Sequence, residues 1–320
     1  MIRFIIRRVV QGIVTLWVIV SLVFVLFFMT KPDPARLLAG KEATVAQVAT
    51  ISKSLGLDAP VWQQYLSFLG RLLHGNLGES YKLHEPVTTL LGQWVQVDIS
   101  LAVGAGVIWL AMGLSVGILA ARRPRSVWDR SATVFVLVGL STPTFILGLL
   151  LLFVFFYILT THGIAIFPSA GNYTPFLTNP LEWAHDLILP WLTLALITAA
   201  TYARLSRSSL LEVLGEDYIR TARAKGLSER RVVYRHALRA AITPIVTQFG
   251  IDLAGVLGGA IITETIFGLP GLGQNVVSAI SREDLPVIQG IVLVAAAFIV
   301  VANIIVDVLY AVIDPRVRLS

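Results

Sequence analysis

Residues 99–121, ISLAVGAGVIWLAMGLSVGILAA, run for 23 positions without a charged side chain. As a helix rising about 1.5 Å per residue, such a run crosses the roughly 30 Å hydrocarbon core of a bilayer. Five further runs, Val9–Met29, Ala132–Thr160, Leu187–Ala203, Ala241–Ile262 and Val287–Ile313, give an expected total of six spans. The third and sixth exceed the needed length and leave room for tilt, whereas the fourth is short, with Pro190 close to its expected entry. The first follows Arg3, Arg7 and Arg8, and no small-x-small cleavage site precedes Lys31 and Pro32. It therefore reads as a retained anchor rather than a signal peptide.

The composition agrees with this solvent. Of 320 residues 56% are apolar and only 14% charged, against about 25% charged in a soluble domain; mean hydropathy is +0.80. These values exclude ordinary soluble enzymes, secreted disulfide scaffolds and disordered chains. The lack of cysteine removes thiol catalysis, disulfides and thiolate metal ligands. The expected fold is an all-α integral membrane protein.

Charge placement then orients the spans. With the N-terminus inside, 18 of the 25 basic residues and six acidic ones fall on cytoplasmic segments. The outer segments carry seven basic residues (Lys31, Arg36, Lys41, Lys53, Arg71, Lys82 and Arg282) and ten acidic ones. The positive-inside rule places both termini in the cytoplasm. Asp98, Asp252 and Asp307 remain at or within the spans.

The chain divides into a first segment and span at 1–30, an outer loop at 31–95 and a membrane core at 96–320. Two helical stripes recur in the loop, one at Val45, Val48, Ile51 and Leu55 and another at Trp62, Tyr65, Leu66, Leu69, Leu72 and Leu73, joined at Asp58-Ala59-Pro60. They read as a small helical cap, or as a cap part of which also touches an extracytoplasmic partner.

The polar stretch at about 205–240, with Arg204 just ahead of it, carries nine basic residues. Its apolar positions Leu210, Val213, Leu214, Tyr218 and Ala222 keep a helical face, and Lys225-Gly226 suits a helix end, because a cation favours the dipole there and glycine accepts positive φ. A second helix is expected to restart at Ser228, capped from one side. The arginines, Arg204, Arg207, Arg230, Arg231, Arg235 and Arg239 among them, either enforce topology and attract anionic lipid or form a docking surface. No nucleic-acid reading module accompanies them, and His236 has no nucleophile or carboxylate set at a catalytic spacing.

At this stretch the chain resembles a known family. The run Glu212 to Leu227 (EVLGEDYIRTARAKGL), followed by His236-Ala237-Leu238-Arg239, resembles the cytoplasmic EAA loop of ABC importer permeases of the dipeptide, oligopeptide and nickel group. Arg220 stands where the general motif has glutamate, and Arg239 where it often has proline, both departures typical of the peptide subgroup. Glu264 to Gly273 (ETIFGLPGLG) and Asp314-Pro315-Arg316 match as well. The resemblance implies a six-helix type I permease with a helical extracytoplasmic loop, in a bacterial inner membrane, forming half of a pathway for di- or oligopeptides. A nickel, heme or other small-solute permease shares the pattern. It also implies a second permease subunit, two ATPase subunits that bind ATP and Mg2+, and an external binding protein or lipoprotein.

In such a system Glu216, Asp217, Tyr218, Arg220, Thr221, Ala222, Arg223, Lys225, Gly226 and Leu227 would couple to an ATPase. This chain has no G-x-x-x-x-G-K-[ST] nucleotide cradle, so it is expected to bind no cofactor and catalyse nothing itself.

Residues of the pathway or of packing are sought among polar groups at membrane depth. Asp252 either lines the passage or makes a structural hydrogen bond. Asn303 and Asp307 share a helical face and favour interhelical packing. Ser141, Thr142 and Pro143 read as a kink or packing site, Glu264 lies in the turn-rich run near the outer mouth, and Asp98 reads as an N-cap of the second span. A proton-coupled carrier is the rival function, but no inverted repeat or pair of broken half-helices appears. A channel would need a selectivity loop, and an intramembrane hydrolase a histidine in a span; neither is present.

Overall fold

The computed structural model describes residues 2–29, 36, 43–54 and 58–313. Lys31, Lys41, Leu55 and the Asp314-Pro315-Arg316 tail with Arg318 lie outside the described residues. In chain order the helices are α1 (Ile2–Met29), α2 (Val45–Ser54), α3 (Val61–Leu73), α4 (Val87–Arg122), α5 (Val127–Ser141), α6 (Thr144–Thr161) and α7 (Pro180–Leu214). Then follow α8 (Asp217–Ala224), α9 (Glu229–Ala241), α10 (Thr243–Leu257), α11 (Ile261–Phe267), α12 (Leu272–Ser281) and α13 (Leu285–Ile313). Among the described residues the only β pairing is an isolated bridge between Glu79 and Pro86.

Helices α1, α4, α6, α7 and α13 are long and apolar enough to cross a membrane, and α9 with α10 forms a sixth candidate bent by 55°. Trp17, Leu137, Phe153 and Tyr157 are more than half exposed, as befits helices whose solvent is hydrocarbon.

Several boundaries differ from the sequence expectation. The second span begins at Val87 rather than Ile99, because Val87, Leu90, Leu91, Trp94 and Val97 form one helical face buried in large part against Leu272, Ala279, Val287 and Ile291. Asp98 is thus inside α4 and caps nothing.

The third expected span is two helices. Thr142 is extended (φ −90°, ψ 118°) before Pro143, whose ring disfavours a helical residue ahead of it, so Ser141 and Pro143 end one helix and begin the next. A wide turn at Leu152–Ile158 follows within α6. Helix α7 starts at Pro180, where the Asn179 side chain accepts from the amides of Leu181 and Glu182. Pro190 is therefore buried within the helix and does not mark its entry. The expected fifth span breaks after Leu257 at Gly258 and resumes as α11.

The core lies between α4 and α7. Leu101, Ala105 and Trp109 meet Leu187, Trp191, Ala195, Ala199 and Tyr202, with Ile245 and Phe267 closing the cluster. The Trp191 indole donates to the Ser100 carbonyl (2.9 Å). Close approach depends on small residues: a Cβ on Gly117 would fall 1.9 Å from Ser206 Oγ and 2.7 Å from the Ala203 carbonyl.

Helix α3 packs on α1 and α13, with Phe68 buried beside Val20, Val23 and Leu293, and Tyr65 bonded to Ser21 (2.6 Å). Its expected stripe divides: Leu69 and Leu72 join that cluster, whereas Trp62, Leu66 and Leu73 are exposed.

Candidate functional site

Helix α7 runs on to Leu214, and the Gly215 amide closes its end on the Glu212 carbonyl (3.1 Å). Helix α8 begins at once. Its spacing sends Ile219 and Ala222 inward, where they join Ile118 and Ala121 of α4, Leu210 of α7, and Val232, Val233, Ala237 and Ala241 of α9. The outward face carries Glu216, Asp217, Tyr218, Arg220, Thr221, Arg223 and Lys225, all exposed. Partial desolvation of the ring and the neighbouring Glu216 carboxylate push the Tyr218 phenol above its ordinary pKa.

The α8–α9 turn is at Gly226 (φ +76°), with the Gly226 amide on the Arg223 carbonyl (2.9 Å). Nothing lies within 4 Å of a Cβ built there, so the backbone conformation alone calls for glycine. Arg223 crosses the turn to Glu229 (2.6 Å), and Arg220 pairs with Asp217 (3.2 Å). Ser228 occupies the N-cap position of α9 without the expected side-chain hydrogen bond.

The structure thus brings together the residues expected to couple, with two qualifications. Ala222 belongs to the apolar core beneath the surface, and Leu227 is only half-exposed. Because α8 and α9 share one buried cluster with the ends of α4 and α7, a push on α8 moves packed side chains rather than a slack loop.

One basic residue of the stretch has a specific task. Arg207 forms a two-pronged pair with Asp129 of α5 (2.6 and 3.1 Å), and Asp129 also accepts from the Arg125 amide (2.9 Å). The guanidinium holds the Asp129 carboxyl below its ordinary pKa. The positive charge of Arg207 suggested topology, lipid or a docking surface, and nothing in the order of residues pointed to a partner 78 positions away.

The polar groups at membrane depth separate into different situations. Asp252 accepts from the Tyr202 hydroxyl (2.8 Å) and from Gln248 (2.9 Å), so both its oxygens are engaged. Asp307 pairs with Arg8 of α1 (3.1 Å), tying two helices, while Asn303 and Ser141 are exposed. Glu264 and Asp98 are fully buried. Among the described residues, no group of three or more His, Cys, Asp or Glu side chains is arranged to hold a metal ion.

Comparison with known proteins covers nearly the whole chain. Residues 113–319 match the model of the binding-protein-dependent transport system inner membrane component, and residues 1–102 match that of its N-terminal part. The dipeptide transport system permease protein of Escherichia coli is 39% identical over 341 residues, covering 99% of each chain. A Brucella abortus protein named as a peptide transport system permease is 41% identical over 314 residues, 98% of each. In fold, the chain is similar to a subunit of the inward-facing MetNI methionine ABC transporter, with TM-score 0.53, 20% identity, and coverage of 70% of this chain and 96% of that one.

Proposed function

Since the chain belongs to the family of binding-protein-dependent transport system inner membrane components, we propose that it forms half of the translocation pathway of an ATP-driven importer of di- or oligopeptides. The observation that carries this reading is the α8 surface: a charged, exposed face held on buried Ile219 and Ala222 at the ends of two long membrane helices. Peptide as cargo rests on the names of relatives matched along almost their entire length.

In this reading the arrangement is a type I permease with six spans, the bent α9–α10 pair supplying one of them. The partition of basic residues supports cytoplasmic termini in a bacterial inner membrane, which puts α2 and α3 outside and α8 inside. Glu216, Asp217, Tyr218, Arg220, Thr221, Arg223 and Lys225 would meet an ATPase subunit, with Ala222, Gly226 and Leu227 shaping the unit behind them. A second permease subunit completes the pathway, two ATPase subunits bind ATP and Mg2+, and an external binding protein or lipoprotein delivers substrate. ATP hydrolysis belongs to those partners, because this sequence has no phosphate-cradling lysine loop.

The test is reconstitution of the chain with the subunits that copurify with it, measuring uptake of labelled di- and oligopeptides with and without ATP. Uptake that requires ATP and the ATPase subunits is expected. Uptake that follows a proton gradient without any ATPase overturns the assignment, and ATP-dependent uptake of nickel or heme but not peptide overturns the cargo.

A further inference from the structure

The loop from Gly268 to Gly271 brings two carboxyl groups together inside the protein. Asp98 on α4 and Glu264 on α11 are both fully buried and take up amides two residues apart at the start of α12, which sets the two carboxyl groups side by side. Each accepts one backbone amide: Leu272 N–H donates to Asp98 Oδ2 (2.8 Å), and Gln274 N–H to Glu264 Oε2 (2.7 Å). The loop closes on them so tightly that a Cβ on Gly271 would fall 2.5 Å from the Glu264 carboxyl carbon. The remaining oxygens, Asp98 Oδ1 and Glu264 Oε1, meet no donor. Neither carboxyl forms an ion pair among the described residues, and no third acidic or histidine ligand joins them.

Two adjacent buried anions without a cation would repel strongly, and each would leave an acceptor unsatisfied in a dry interior. A single proton removes both faults, since one carboxyl then donates to the other. We propose that Asp98 and Glu264 bind one shared proton, and that this proton is the latch holding the 268–274 loop against α4. Among the described residues a further titratable group beside Asp98 is Tyr173, whose hydroxyl meets Ser100 Oγ (3.2 Å), two residues along α4. From α12 the pair meets the amides of Leu272 and Gln274. Loss of the proton leaves two negative charges and opens the latch.

The test is infrared difference spectroscopy of the full chain in lipid nanodiscs, with its copurifying subunits, comparing wild type with D98N and with E264Q at neutral pH. The expected result is a protonated-carboxyl C=O band in wild type that is lost in each single variant, because the remaining carboxylate then accepts from the introduced amide. Absence of the band in wild type overturns the proposal. Persistence in either variant also overturns it, since it means that the surviving carboxyl is neutral on its own account. Melting gives a second readout that separates a shared proton from simple packing. Titrated toward alkaline pH, wild type should lose thermal stability where the band disappears, while D98N and E264Q show no such step. A wild-type stability that is level through the loss of the band, or a step retained in either variant, overturns the latch.

Discussion

At the Val87 end of α4, Asp98 accepts the Leu272 amide and binds the helix to the start of α12 through a buried polar contact. At the Arg122 end, Gly117 lets α7 approach to backbone contact, and Ile118 and Ala121 join the apolar cluster under α8 and α9. One helix therefore holds its neighbours by two kinds of chemistry. The apolar end tolerates changes of charge nearby but not of volume, because packed interiors have no slack. The polar end, if it holds the proposed shared proton, should tolerate exchange of an oxygen for an amide and respond to pH.

The largest effect is expected from volume added at the apolar end. Gly117→Leu drives a side chain into Ser206 Oγ and the Ala203 carbonyl, which belong to a helix that cannot retreat. A loss of about 3 kcal/mol is expected, visible as a lower melting temperature and poor yield of monodisperse protein; a variant that melts like wild type would break the comparison. Next comes Gly226→Val, whose residue must adopt φ +76° at a cost of about 1–2 kcal/mol. The damage is local, so a five- to thirtyfold loss of the ordered turn should appear in ATP-dependent uptake while the main melting transition barely moves.

Asp129→Asn should cost about 1 kcal/mol, after allowance for solvent screening at the partly exposed Arg207. Its pH signature has a definite sign. The Asp129 pKa is lowered in the folded state, so its contribution is complete above the ordinary aspartate value of about 3.9 and disappears as pH falls through the lower folded value. Wild type should lose part of its melting temperature over that acid window, and the variant should lack that component.

The smallest change in stability is expected at the exposed face. Arg220→Ala removes a pair whose side chains are 72% and 96% exposed, so less than about 0.5 kcal/mol is at stake. Binding to the ATPase subunits should nevertheless weaken, which pull-down at two salt concentrations would reveal. Unchanged binding would remove Arg220 from the docking surface.

The features readable in advance were those carried by neighbours in the chain. Lys225-Gly226 announced a helix end, and the structure has one, because dipole and φ preferences act within a turn. Ser141-Thr142-Pro143 announced a kink or a packing site, and one helix ends there and another begins. Hydropathy was less exact at the second span: it took the uncharged run from Ile99 as the whole helix, while residues 87–97 continue it on an amphipathic face. That face became meaningful only once α12 and α13 lay against it.

By itself, the sequence determined the solvent, the approximate spans, the glycine turn and the absence of a nucleotide cradle, since each depends on composition or on residues a few positions apart. The tertiary structure decided that Asp98 faces Glu264, that Arg207 holds Asp129, and that Asp252 is engaged by Tyr202 and Gln248. Most of these partners meet only after helices have packed, and which faces meet depends on the shapes of all the side chains between them. A buried charge requires a partner, but only the packed bundle selects which one.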